Sequence, residues 1–131
     1  MNKGLFLIPL VAAAAAGCAG TGAEPQAGED VLSRALAGRT AGPPRNCVPI
    51  ESGRSLTVVE RGMILYGSGR TIWLARLRDP CPSLRRLDTL IVEPMGSQYC
   101  RGDQIRSIDP VSRIPGPVCM IDSFVPYTRA D

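Results

Sequence analysis

The five cysteines of this chain limit how it can fold. Cys18 directly follows a short apolar run at residues 4–17, and the other four cysteines lie between positions 47 and 119. In an exported chain, an odd number of cysteines needs an explanation for the unpaired one. Covalent modification of Cys18 leaves an even set of four, which predicts two disulfide bonds formed in an oxidising compartment.

The N-terminal segment has the form of a targeting signal. Lys3 precedes the apolar run, which is shorter than the about 20 residues that a membrane-spanning helix requires. Its end, Ala15-Ala16-Gly17-Cys18, resembles the lipobox of bacterial lipoproteins, although Ala15 stands where that motif prefers leucine. The resemblance implies that residues 1–17 are a cleaved signal peptide and that Cys18 becomes a lipidated N-terminus. With Ala19 next to it, the resemblance favours the outer membrane, with the domain facing the periplasm.

Ordinary secretion is the alternative that this segment leaves open. Small residues at positions 20–23 offer a cleavage site for a general signal peptidase. The protein would then be soluble in the periplasm or secreted from the cell.

The remaining chain divides into a tether and one small domain. Residues 18–46 are rich in Gly, Ala, Pro and Thr, which is typical of a tether. Within it, residues 30–36 have apolar residues at helical spacing, with Asp30 as the predicted N-cap and Gly38 as the predicted end of the helix. The domain itself is predicted to cover residues 47–131.

Short β-type segments separated by Gly and Pro predict an all-β domain. The six predicted strands cover residues 55–61, 63–66, 71–77, 88–93, 103–109 and 118–125. The second and third flank Gly67-Ser68-Gly69-Arg70 and predict a hairpin. We expect one antiparallel sheet system, curled into a small barrel or sandwich. Its predicted core consists of ten apolar residues: Val58, Leu65, Ile72, Leu74, Leu90, Val92, Ile105, Ile108, Ile121 and Phe124.

Two disulfides are expected to stabilise the domain, because a chain of this size buries little surface. Four cysteines allow three pairings, and sequence alone does not choose among them. We favour Cys81–Cys100, which closes a local loop, together with Cys47–Cys119, which joins the ends of the domain. A zinc site is not expected, because no two of these cysteines have the close spacing of zinc ligands and the chain contains no histidine.

The composition argues against catalysis and nucleic-acid binding. The absence of histidine removes the Ser-His-Asp and Cys-His catalytic sets. A net charge of +3 with 5% aromatic residues is unlike a nucleic-acid-binding domain. Asp103 and Asp109 would form a carboxylate pair only on one unbroken strand face, and turn positions explain both residues. The same turn explains the adhesion-like tripeptide Arg101-Gly102-Asp103. We predict no enzymatic activity, no cofactor and no metal.

Candidate binding residues lie on the predicted hairpin. Tyr66, Trp73, Arg76 and Arg78 belong to residue types that are enriched at protein interfaces, although a single Trp is also typical of a core position. We predict a non-catalytic cell-envelope module that contacts the membrane through its lipid and an envelope protein or ligand through this surface. The alternative is a periplasmic inhibitor or ligand-binding domain that uses the proline-containing loop at 107–118.

Most of residues 38–128 also resemble a group of small, uncharacterised exported proteins of Gram-negative bacteria. The matching segments are Ala41-Gly42-Pro43-Pro44-Arg45-Asn46-Cys47, the hairpin at 63–77, Cys81-Pro82-Ser83-Leu84, Cys100-Arg101-Gly102-Asp103, Cys119 and Phe124-Val125-Pro126-Tyr127. The resemblance implies an extracytoplasmic, disulfide-bonded β domain. It implies no activity and no site.

Overall fold

The computed structural model describes residues 27–60 and 62–131. Within these residues, one helix, α1 (Ala27–Leu36), precedes nine strands. The strands are β1 (Arg39–Ala41), β2 (Cys47–Pro49), β3 (Leu56–Glu60), β4 (Met63–Tyr66), β5 (Thr71–Leu77), β6 (Thr89–Glu93), β7 (Gln98–Cys100), β8 (Gln104–Ile108) and β9 (Cys119–Arg129). The six predicted strands correspond to β3, β4, β5, β6, β8 and β9, so the predicted all-β fold is confirmed. The sequence pattern missed the short strands β1, β2 and β7.

Strand β9 organises the main sheet. The sheet has the order β3-β4-β5-β9-β8-β6, every pair is antiparallel, and the whole is nearly barrel-shaped. On one side, β9 pairs with all of β5; on the other, it pairs with β1 near its end and with β8 near its start. One long strand therefore connects both halves of the sheet. Strands β2 and β7 form a separate two-stranded sheet.

Helix α1 contacts strand β3 of this sheet. It begins at Ala27, earlier than predicted, so Asp30 lies inside the helix and the N-cap prediction was wrong. Gly38 ends the helix as expected, since its φ of +68° is readily adopted only by glycine. The half-buried residues of α1 recur at helical spacing, and the helix contacts β3. The predicted amphipathic helix therefore docks on the domain.

Arg39 links the end of α1 to the β4–β5 turn by hydrogen bonds. Its Nε donates a hydrogen bond to the Ala35 carbonyl oxygen at 3.1 Å. Its two terminal nitrogens donate to the carbonyl oxygens of Arg70 at 2.6 Å and Gly69 at 2.8 Å. With β1 paired to β9 and Arg45 bridged to Phe124, the ordered β structure extends into the segment that the sequence assigned to the tether.

The core is largely the predicted one, except that β4 buries the opposite set of alternating residues from the one predicted. Val58, Ile72, Leu74, Ile105, Ile121 and Phe124 are buried, whereas Leu65, Leu90, Val92 and Ile108 are only half-buried. In β4 the buried residues are Ile64 and Tyr66, one position away from the predicted Leu65. A shift of one residue exchanges the two faces of a strand, so the burial prediction for Leu65 was wrong.

All four cysteines of the domain form disulfides, but the favoured pairing was wrong. The bonds are Cys47–Cys100 and Cys81–Cys119. Cys47 lies directly opposite Cys100 in the β2–β7 pair, with 4.0 Å between their Cα atoms. The β5–β9 ladder ends at Leu77 and Ile121, and beyond this point the chain after β5 and the first residues of β9 stay close, which places Cys81 beside Cys119.

Candidate interaction surface

Two exposed arginines lie at the end of β5. Arg76 and Arg78 flank the buried Leu77. Opposite them, β9 carries one extra residue, Asp122, between Ser123, which pairs with Arg76, and Ile121, which pairs with Leu77. Such bulges increase the local twist and redirect neighbouring side chains, and they are common beside functional sites.

Neither arginine is neutralised within the part of the chain that the structure describes. No carboxylate there lies within ion-pair distance of Arg76 or Arg78. One terminal nitrogen of Arg78 lies 3.5 Å from the Met120 sulfur, which is a weak acceptor. Apart from that weak contact, the donors of both guanidinium groups have no partner among the described residues and can bind an anionic group.

A largely apolar groove adjoins these arginines. One depression of about 360 Å³ lies against Arg76 and Arg78, and it shares Asp79 and Pro80 with a second depression of about 450 Å³. We call the second depression the proline groove; it is lined by Asp79, Pro80, Pro82, Pro117, Val118, Cys119 and Met120. Its volume is within the range of ligand-binding sites. The result is a largely apolar groove joined to a smaller depression that carries two arginines, with Asp79 lining both.

The backbone around the proline groove is constrained. The Cys81–Cys119 disulfide joins its two walls, and the Arg78 N–H donates to the Met120 carbonyl oxygen at 2.9 Å. Proline fixes φ, so the walls have little freedom to lose when a partner binds. Val118 and Met120 remain exposed on one wall. The groove is thus preformed and presents apolar side chains to solvent.

The predicted binding set of Tyr66, Trp73, Arg76 and Arg78 does not form one surface. Tyr66 and Trp73 lie opposite each other in the β4–β5 register and therefore share the inner face of the sheet. Tyr66 is only 1% exposed, and Trp73 packs partly buried against the core. Arg76 and Arg78 line the smaller depression next to the proline groove, whereas Tyr66 and Trp73 face the core, so the assignment of all four residues to one binding surface is corrected.

Tyr66 instead has a structural role. Its hydroxyl accepts a hydrogen bond from the Glu51 N–H at 2.9 Å and donates one to the Pro49 carbonyl oxygen at 3.1 Å. Its ring meets that of Tyr99 edge to face at 5.3 Å. These contacts join β4 to the β2–β7 sheet. Burial of the Tyr99 hydroxyl, and secondly the neighbouring Tyr66, raise the pKa of Tyr99.

A second exposed surface is the loop after β8. Asp109 Oδ1 accepts hydrogen bonds from the N–H groups of Val111 at 2.9 Å and Ser112 at 2.8 Å. These two bonds stabilise the ionised carboxylate and hold the pKa of Asp109 below its ordinary value. The bond from Ser112 has the larger effect and the bond from Val111 the next. The loop base is closed by the Gly116 N–H on the Ser107 carbonyl oxygen at 2.8 Å. The loop is therefore held in one shape, with Val111 90% exposed.

The two acids considered as a carboxylate pair do not converge. Asp103 and Asp109 flank opposite ends of β8, and at about 3.3 Å per residue they are separated by about 20 Å. Carboxylate pairs that act together in glycoside hydrolysis lie about 5–10 Å apart. Asp103 is buried and accepts a hydrogen bond from the Cys100 N–H at 2.7 Å, so the Arg101-Gly102-Asp103 turn does not present its carboxylate to solvent.

Over residues 27–60 and 62–131, no three His, Cys, Asp or Glu side chains are grouped so that they could hold a metal ion. Among the same residues, no helix has the length and apolar character needed to cross a membrane. The predicted signal peptide at 1–17 and the predicted lipidation site Cys18 lie outside the described residues. No family model, curated protein or solved structure matches the chain.

Proposed function

We propose that this chain is a non-catalytic lipoprotein of the cell envelope, anchored through Cys18, whose β domain binds a partner at the proline groove. The observation that carries the proposal is the pair Arg76 and Arg78, exposed and without a carboxylate partner among the described residues, beside a preformed apolar groove. Arginine is one of the residue types enriched at binding hot spots, which lie in well-packed pockets. The fitting partner is a protein segment that carries a carboxylate beside apolar side chains.

The anchor would keep the domain close to the membrane. Residues 18–26 separate Cys18 from α1, and fully extended they reach at most about 30 Å. The partner is therefore expected at the membrane or within that distance of it. The apolar leader and the odd cysteine support this arrangement, as does the use of the other four cysteines in disulfides.

The anchor is tested by the intact mass of the protein extracted from membranes, before and after reduction. The expected mass begins at Cys18, includes a diacylglyceryl group and an amide-linked acyl chain, and rises by four hydrogens when the two disulfides are reduced. An unlipidated mass that begins beyond residue 20 would contradict the lipoprotein assignment. That result would support the soluble periplasmic or secreted alternative.

The groove is tested by photo-crosslinking in cells, with a photoreactive amino acid in place of Val118. We expect one discrete protein adduct, and we expect the double substitution Arg76→Glu/Arg78→Glu to reduce its yield at least about tenfold, since each arginine is a candidate hot spot. The matched control is Arg70→Glu/Arg129→Glu, which makes the same change of charge at exposed positions away from both the groove and the loop at 107–118. Equal loss in both double variants would show a general charge effect and would contradict the groove assignment.

The loop at 107–118 favours a second candidate function, inhibition of a periplasmic enzyme. Its supporting observation is the fixed loop with Val111 and Ile114 exposed. A rigid loop loses little conformational entropy on binding, which suits an inhibitor. Placing the photoreactive residue at Val111 separates the two functions. An adduct with a hydrolase from position 111, together with none from position 118, would favour the inhibitor.

A further inference from the structure

The two disulfides of the domain differ in burial. Cys81 is 1% exposed and belongs to the hydrophobic core, and Cys119 packs partly buried against it. Cys47 and Cys100 are both only half-buried and lie outside this core cluster. Rates of thiol–disulfide exchange depend on access to the sulfur atoms, so the two bonds are expected to react differently.

A depression of about 360 Å³ has Cys100 in its wall. We call it the β7 depression; it is lined by residues 95–98 and 100–103, which include Cys100 but not Cys47. In exchange, the attacking thiolate approaches one sulfur along the line of the S–S bond and expels the other sulfur. A thiolate that enters the β7 depression therefore attacks Cys100 and expels Cys47.

The expelled sulfur also distinguishes the two bonds. A thiolate leaves less readily into apolar surroundings, which do not solvate its charge. Attack on Cys119, which lines the proline groove, would expel Cys81 into the core, where the Ser83 hydroxyl lies 3.4 Å from the Cys81 sulfur. Attack on Cys100 expels the half-buried Cys47 instead. Burial therefore opposes opening of the Cys81–Cys119 bond more than opening of the Cys47–Cys100 bond.

The wall of the β7 depression carries an exposed cation. Arg101 directly follows Cys100, and its side chain is 58% exposed. It lies 3.3 Å from Asp122 in an ion pair at the surface, where such pairs are weak. Asp103, in the same wall, is buried and accepts a hydrogen bond from the Cys100 N–H at 2.7 Å. The more exposed charge is therefore the arginine, which attracts an anionic thiolate.

The Cys47–Cys100 bond holds a small part of the fold. It joins β2 and β7, which form a two-stranded sheet separate from the main sheet. A two-stranded unit is marginally stable by itself. The main sheet has its own cross-link, Cys81–Cys119, beyond the end of the β5–β9 ladder. Opening of Cys47–Cys100 is therefore expected to loosen β2 and β7 while the main sheet stays folded.

We propose that Cys47–Cys100 is a thiol–disulfide exchange site open to an external dithiol, whereas Cys81–Cys119 is a structural bond. One thiolate of the dithiol attacks the Cys100 sulfur and forms a mixed disulfide, and the electron pair of the broken bond goes to Cys47, which takes a proton from water. The second thiol of the dithiol loses its proton and attacks the dithiol's own sulfur in the mixed disulfide, which frees Cys100. The dithiol is thereby oxidised to a disulfide and the protein bond is reduced to two thiols. The site lies outside the proline groove, so it stands independently of the proposed function.

Partial reduction tests the difference between the two bonds. The exported, oxidised chain is exposed to dithiothreitol under native conditions, alkylated at successive times and analysed by peptide mapping. The Cys47–Cys100 bond is expected to open at least about tenfold faster than the Cys81–Cys119 bond, and the two rates are expected to converge in guanidinium chloride. Equal rates in the native chain, or faster opening of Cys81–Cys119, would overturn the proposal.

Glutathione, an anionic thiol, tests which sulfur is attacked. Alkylation after a brief exposure is expected to show glutathione on Cys100 and the alkyl group on Cys47, and the reverse would overturn attack through the β7 depression. Arg101→Gln is expected to slow this reaction at least about threefold, because the cation that attracts the thiolate is lost. The matched control, Arg129→Gln, changes an exposed arginine at the far end of β9 and is expected to leave the rate unchanged. A purely structural effect of Arg101→Gln would loosen the chain around Cys100 and speed the reaction, and that result would contradict the role of Arg101.

Discussion

Removing the Cys47–Cys100 disulfide is expected to lower the free energy of unfolding by about 4 kcal/mol. The bond joins residues 53 apart in sequence, and a loop of that length restricts the unfolded chain by about this amount on the chain-entropy model. Small domains are stabilised by about 5–15 kcal/mol in total, so the loss is a large part of the whole. The measurement is chemical denaturation of the Cys47→Ala/Cys100→Ala variant against the native chain.

The second disulfide, Cys81–Cys119, provides a comparison for this prediction. Cys81→Ala/Cys119→Ala removes a bond across 38 residues, for which the same model also gives about 4 kcal/mol. The single variant Cys47→Ala tests the pairing, because it leaves Cys100 as the free thiol that an alkylating reagent modifies. Modification of Cys119 instead would show that the connectivity is wrong. A loss of less than about 1 kcal/mol in the double variant would contradict the chain-entropy argument.

Phe124→Ala is expected to destabilise the domain by about 3–5 kcal/mol, which is the usual cost of truncating a buried aromatic side chain. Phe124 is fully buried in the middle of β9, opposite Ala75 of β5. Its backbone also exchanges two hydrogen bonds with Arg45, at 2.7 and 3.0 Å. The alanine side chain leaves a cavity between β9 and the rest of the core. The measurement is the shift of the unfolding midpoint in denaturant.

Two further variants keep the Phe124 measurement interpretable. Phe124→Leu retains most of the apolar volume and is expected to fold with a smaller loss of stability. Val111→Ala, at a side chain that is almost entirely in solvent, is expected to change stability by less than about 0.5 kcal/mol. Equal effects of Phe124→Ala and Val111→Ala would show that Phe124 is not a core residue.

The parts of the fold that depend on local sequence are predictable. The β4–β5 hairpin follows from two β-type segments around Gly67 and Gly69, which both have positive φ values. The strands β2 and β7 contain three residues each and exist because they pair with one another although Cys47 and Cys100 are 53 residues apart. Their local sequence carries no period long enough to detect, and so the Cys47–Cys100 bond between them was missed.

In the candidate surface, too, some features follow from local sequence and others depend on tertiary contacts. Exposed arginines at positions 76 and 78 are predictable from the hairpin. The neighbouring groove is not, because its two walls are brought together by the Cys81–Cys119 bond and by the hydrogen bond from Arg78 to Met120. Tyr66 was assigned to the surface because tyrosine is common at interfaces. Its burial depends on Pro49 and Glu51, whose positions near β4 are set by the tertiary fold.

The two disulfides interleave along the chain, since Cys81 lies between Cys47 and Cys100, and Cys100 lies between Cys81 and Cys119. Any single peptide-bond cleavage between residues 47 and 119 therefore leaves the two fragments covalently joined. A protease that cuts at the exposed Met95 would leave both cross-links spanning the cut. A nicked molecule would thus stay in one piece, and attached to its own N-terminal segment, until it is reduced.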